Sequence, residues 1–140
     1  MSGTASLEDP KCPKTSRGVA GLPGAKNTGD INAALQSETA LVKDIYTSSD
    51  GNHVPTVSLT PTRNLTVGGA PAVQILATVT DIQADDCTAP SALHSMIATT
   101  VPGQEGCVLF VISLEQGYPG APDPSVLDTM VNSLRPALKA

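Results

Sequence analysis

Residues 107–115 read CVLFVISLE, apolar at odd and even positions alike as far as Ile112. Successive side chains of a strand face opposite sides of a sheet, so a strand that is apolar on both sides must be covered on both. The run therefore belongs at the centre of a sheet, under helices or a second layer. That requirement alone fixes a layered fold.

Neighbouring segments supply the rest of the sheet. Residues 72–82 alternate, with Val73, Ile75 and Val79 opposed to Gln74, Thr78 and Thr80. Residues 93–101 give a further strand, joined to the central one through the loop Pro102-Gly103-Gln104-Glu105-Gly106. Positions 54–67 are rich in Thr and Val but broken by Pro55 and Pro61, each of which removes a ladder donor, so this stretch is expected at an edge. Gly68-Gly69-Ala70-Pro71 makes a turn, and residues 15–22 a first strand closed by Pro23-Gly24.

Two segments carry helical spacing. Ile31, Ala34, Leu35, Val42 and Ile45 recur near every 3.6 residues, with Asp30 as N-cap and Ser49-Asp50-Gly51 as the stop. Later, Pro122-Asp123-Pro124 precedes Val126, Leu127, Met130, Val131 and Leu134, which fall on one helical face that Pro136 ends. The order strand, helix, four strands, helix predicts an α+β fold, an antiparallel sheet of about five strands with two helices packed on it. Residues 15–140 are expected to form a single globular domain. Residues 1–14 are polar, lack the apolar core of a signal peptide, and read as a tether or linker.

Composition narrows the function. The net charge of −5 and eight scattered basic residues leave no cationic stripe for a nucleic acid or an anionic membrane surface. Tyr46, Phe110 and Tyr118 are the only aromatic residues, too few for a stacking platform. No run of about 18 apolar residues is present, so a membrane is expected only through an anchor upstream of this chain.

The three cysteines differ in setting. Cys12 lies in a polar, proline-flanked tail, Cys87 in the turn Asp85-Asp86-Cys87-Thr88, and Cys107 in the apolar run. The first two read as exposed and the third as buried. A Cys12–Cys87 disulfide would pin the tail to a mid-chain turn, and closing so long a loop is worth about 4 kcal/mol by chain entropy. Cys107 reads as a small buried hydrophobe rather than a reactive thiol, because no His or basic cluster adjoins it in sequence.

Candidates for chemistry are few. His94 and Ser95 are adjacent on a strand and point to opposite faces, so they do not form a nucleophile and base; His94 reads as a surface or hydrogen-bonded residue. His53 follows Asp50-Gly51-Asn52 and reads as solvated. Asp85 and Asp86 suit turn formation. No Cys-x-x-Cys pair or paired His spacing suggests a metal, and neither Gly21-Leu22-Pro23-Gly24 nor Gly68-Gly69 has the spacing of a phosphate or dinucleotide loop, so no cofactor is expected.

Several motifs carry a resemblance: Ser16-Arg17-Gly18-Val19-Ala20-Gly21 after an early Cys, Leu65-Thr66-Val67-Gly68-Gly69-Ala70-Pro71-Ala72, and a Cys between acidic residues and a Pro. So do Leu114-Glu115-Gln116-Gly117-Tyr118-Pro119-Gly120 and Leu127-Asp128-Thr129-Met130-Val131-Asn132-Ser133-Leu134-Arg135-Pro136. Together they resemble an extracytoplasmic C-terminal domain of unknown function of actinobacterial, including mycobacterial, single-pass membrane proteins, over about residues 12–138. The resemblance implies a place in the periplasm or cell envelope, tethered to the membrane, and supports the pairing of Cys12 with Cys87. It brings no activity, ligand or cofactor. At fold level the element order is also similar to the PsbP-like sandwich of some mycobacterial lipoproteins.

Two functional expectations follow. The first is a non-enzymatic binding or interaction module of a membrane-anchored envelope protein. It would take an envelope ligand or protein partner through a pocket between sheet and helix, or through a homodimer surface. The second is a secreted enzyme whose site is assembled around His94 or Cys107, which requires the two to converge with a carboxylate in a cleft. A purely structural role as a spacer would need neither.

Overall fold

The computed structural model describes residues 2–23, 25–26 and 28–135. Its elements are β1 (Ser2–Glu8), β2 (Ser16–Leu22), β3 (Ala25–Lys26), α1 (Ile31–Thr39), α2 (Val42–Tyr46), β4 (Thr56–Leu59), β5 (Arg63–Val67), β6 (Ala70–Thr80), β7 (Ser91–Thr99), β8 (Cys107–Gln116) and α3 (Ser125–Asn132). The fold is α+β. The strands form one eight-stranded antiparallel sheet in the order β1-β2-β8-β7-β6-β4, with β3 beside β8 and β5 beside β6.

β8 lies between β2 and β7, and both its faces are covered. Leu109 and Val111 join Val73, Ile75, Val79 and Met96 in a core closed by Ala34, Leu35 and Val42 of the α1–α2 segment. On the opposite face, Ile112 joins Ala20, Ala72 and Ile97 beneath Leu127 and Val131 of α3, with Phe110 and Met130 at its margin. The helices thus sandwich the sheet.

The strand count exceeds five for local reasons. The stretch read as one edge strand divides at Pro61 into β4 and β5. Three residues, Thr60, Pro61 and Thr62, oppose only Ile75 and Leu76 of β6, a bulge that absorbs the missing proline donor. Thr60 bridges the gap, donating its N–H to the Leu76 carbonyl at 3.0 Å and accepting the Leu76 N–H on Oγ1 at 3.0 Å. Gly68 and Gly69, at φ +58° and +83°, make the two-residue turn that joins β5 to β6.

Residues 1–14 were expected to be a tether, but Ser2–Glu8 is a strand, pairing Ala5 with Ala20, Ser6 with Val19 and Leu7 with Gly18. Its sequence carries no apolar alternation. Main-chain hydrogen bonds along the open edge of β2 hold it, and these leave no signature in side chains.

The first helix also departs from expectation. Asp30 caps it, its Oδ1 accepting from Asn32 N at 2.9 Å and Ala33 N at 3.2 Å. The helix then breaks between Thr39 and Val42 instead of running on to Ser49. The break shifts the helical phase: Val42 stays buried, Ile45 turns outward to 53% exposure, and Tyr46 turns toward the sheet. At the start of α3 the flanking residue is Pro124, at φ −54° and ψ −26° and without a side-chain cap, and Asp123 before it accepts Ser125 N on Oδ1 at 2.9 Å. Gly24 and Pro136, read as a turn residue and a helix stop, lie outside the described residues.

Candidate functional site

A cleft of about 460 Å³ opens between the C-terminal end of α2, the β2–β8 half of the sheet and the loop after β6. Tyr46, the last residue of α2, reaches its floor. The helix ends there because the next residue, Thr47, is extended at ψ 141° and its Oγ1 donates to the Lys43 carbonyl at 2.8 Å. The chain then folds into a turn in which Asp50 Oδ1 accepts from Ser48 Oγ at 2.6 Å and Asn52 N at 2.9 Å, contacts that hold the Asp50 carboxyl below its ordinary range.

Three polar side chains meet at the floor. His94 of β7 and Ser113 of β8 are register partners, and both contact the Tyr46 hydroxyl. Tyr46 Oη lies 3.0 Å from His94 Nδ1, with the two rings edge to face at 5.6 Å between centroids, and it is hydrogen-bonded to Ser113 Oγ. Burial pushes the Tyr46 phenol up to about 12, against the opposing pull of the Ser113 hydrogen bond and with help from the Glu115 charge. Burial pushes His94 down to about 4, so its ring is neutral at pH 7. His94 is 2% exposed, and its Nε2 is buried without a hydrogen-bond partner among the described residues.

The side wall is a knot centred on Arg17 of β2. Its Nε donates to Asp9 Oδ2 at 3.2 Å, its Nη1 to Glu115 Oε2 at 3.1 Å, and its Nη2 to the Asp86 carbonyl at 3.3 Å. The Tyr118 ring lies 4.3 Å from the guanidinium carbon. Burial opposes the guanidinium charge, but the hydrogen bonds from Arg17 to Glu115 and Asp9 outweigh it and hold the pKa of Arg17 above its ordinary value. The Lys11 N–H, with Arg17 beside it, keeps the Asp9 carboxyl below its ordinary range.

The Cys12–Cys87 disulfide closes the same corner, with Cα atoms 5.6 Å apart. Cys12, whose polar tail predicts exposure, is only 3% exposed, because the strand before it and the Arg17 contacts fold the tail onto the domain. Asp85 serves the turn as expected, its Oδ1 accepting the Cys87 N–H at 2.8 Å. Such a disulfide suggests an oxidising, extracytoplasmic environment. Among the described residues no helix is long and apolar enough to cross a membrane.

The structure does not bring His94 and Cys107 together. Cys107 is buried at the far end of β8, six positions from the Ser113 that pairs with His94, about 20 Å along the strand. Burial, with the Asp30 charge nearby, raises its thiol pKa. Nor is His94 on the surface or fully hydrogen-bonded, since it faces inward at the centre of the sheet. His53 is half-buried rather than solvated, its Nε2 donating to the Asp81 carbonyl at 2.6 Å. Among the described residues no three His, Cys, Asp or Glu side chains gather as a metal would need.

Tyr46, Ser113, Arg17, Glu115 and Asp9 carried no site signal in the sequence. Arg17 and Glu115 could have been flagged as charges flanking apolar strands, but their pairing joins residues 98 positions apart. Neither a curated protein nor a solved structure matches the chain. Over residues 1–139 it matches a family described as a domain of unknown function, and it belongs to that family, DUF8017.

Proposed function

We propose that the domain is a non-enzymatic, extracytoplasmic binding module and that the cleft beside Tyr46 takes a small polar ligand that is neutral or cationic. One observation carries this reading: the cleft's guanidinium is already engaged. Asp9, Glu115, the Asp86 carbonyl and the Tyr118 ring surround Arg17, taking three of its five N–H donors and setting two carboxylates against its single charge, so an anion entering the cleft meets a cluster that is negative on balance. Asp85 and Glu115 line the same cleft, with hydroxyls from Ser48, Thr88 and Ser113 between them. A volume near 460 Å³ lies within the range of small-molecule sites.

The disulfide and the resemblance drawn from the sequence support a place in an actinobacterial cell envelope, tethered to the membrane by an upstream segment. Native mass spectrometry of the protein purified without reductant from its host's envelope tests the reading. The expected spectrum shows one small neutral or cationic molecule retained per chain, lost when Thr88→Trp fills the cleft. A retained anion, or a ligand that stays bound in the filled variant, would overturn it.

A further inference from the structure

We propose that buried His94 orients a one-way chain of hydrogen bonds, so that Ser113 turns its hydroxyl proton into the cleft and the ligand must bring an oxygen acceptor to it. This rests on the reading of the cleft as a binding site. It adds the chemistry of the group that binds at the floor.

His94 is a neutral imidazole with one N–H, and its two nitrogens are in unequal surroundings. Nε2 is buried and has no partner among the described residues, whereas Nδ1 faces the Tyr46 hydroxyl at 3.0 Å. A proton on Nε2 would leave a buried donor without an acceptor, the kind of orphan that folded proteins tolerate least. A proton on Nδ1 is donated to Tyr46 Oη and leaves only a bare lone pair in the core. Ala77, the residue opposite His94 on β6, is too small and apolar to offer an alternative.

The direction of the rest follows from Nδ1. The Tyr46 oxygen is occupied as an acceptor, so its own proton goes to its other neighbour, Ser113 Oγ. The Ser113 proton is thereby displaced from Tyr46, and Ser113 lines the cleft. Burial of Tyr46 keeps the phenol protonated throughout the neutral range, so the chain does not reverse by ionisation.

Glu115 stands two residues along the same face of β8, about 7 Å from Ser113. The ligand class is therefore a small molecule with a carbonyl, ether or hydroxyl oxygen at one end and an ammonium or hydroxyl donor about 7 Å away.

Two measurements on the whole chain test this. In protein labelled with ¹⁵N-histidine, the His94 ring at pH 7 should show Nδ1 protonated and Nε2 bare. A protonated Nε2 would overturn the proposal while leaving the cleft a binding site. Backbone amide shifts then follow titration with 5-aminopentanamide, pentylamine and pentanoate. The expected result is shifts at Ser113 and Glu115, with 5-aminopentanamide binding about tenfold more tightly than pentylamine, and that advantage lost in Ser113→Ala. Equal binding of the first two would refute the acceptor requirement. Preferential binding of pentanoate, or no shift at any cleft residue, would overturn the binding-site reading and this proposal with it.

Discussion

Removing the Cys12–Cys87 disulfide, by the double substitution Cys12→Ala and Cys87→Ala, should cost the domain a large part of its stability. The bond closes a loop with a sequence separation of 75 residues. The chain-entropy relation assigns such a loop about 15 cal/mol/K, or about 4.5 kcal/mol at 25 °C, all of it acting on the unfolded state. Single domains retain about 5–15 kcal/mol in total, so the variant should be folded but marginal. For a domain of this size the loss should appear as a fall in Tm of about 10–15 °C. Urea unfolding of the oxidised protein, the reduced protein and the variant measures it, and the slope m should rise in the last two because the unlinked chain expands further. A loss below about 1 kcal/mol with unchanged m would refute the reasoning, since it would mean that the unfolded chain already holds the two segments together. Hydrogen exchange separates a second effect. If the bond also anchors the native corner, amides of β1 and of the loop carrying Cys87 should lose protection beyond the global change.

Acid should destabilise the domain through His94. Its folded pKa, about 4, lies below the ordinary 6.5, so the unfolded chain binds the proton first. Stability is full above pH 6.5 and falls by about 3 kcal/mol as the pH drops to about 4. His94→Leu should flatten that window in denaturant titrations, and equal slopes in both proteins would sink the assignment. Cys107 should resist a thiol reagent in the native protein and react as one thiol after unfolding; reaction within seconds in the native state would contradict its burial. Gly117→Ala should cost about 1–3 kcal/mol in a thermal melt, because its φ is +82° and an added Cβ would lie 3.0 Å from Pro90 Cγ. A melt that matches the parent would mean the β8–α3 turn can relax.

The layering is legible in the amino-acid sequence. The two-sided apolarity of residues 107–115 placed β8 between two strands and under helices on both faces, because local periodicity reports which sides of a strand are buried. Asp30 and Asp123 marked helix starts through short-range hydrogen bonds that their neighbours complete. The settings of the three cysteines, with the family resemblance, indicated which two would pair. The remaining features arise from long-range contacts. β1 is held by main-chain bonds along an edge, which no side-chain pattern encodes. The break after Thr39 turns Tyr46 rather than Ile45 toward the sheet, and a helical phase read from spacing cannot anticipate where a helix bends over its core. Arg17 is buried because Asp9, Asp86 and Glu115 arrive from three separate segments to meet it. The cleft exists only where those long-range contacts coincide, since its chemistry belongs to side chains that strand register and the disulfide bring together, not to any continuous stretch of sequence.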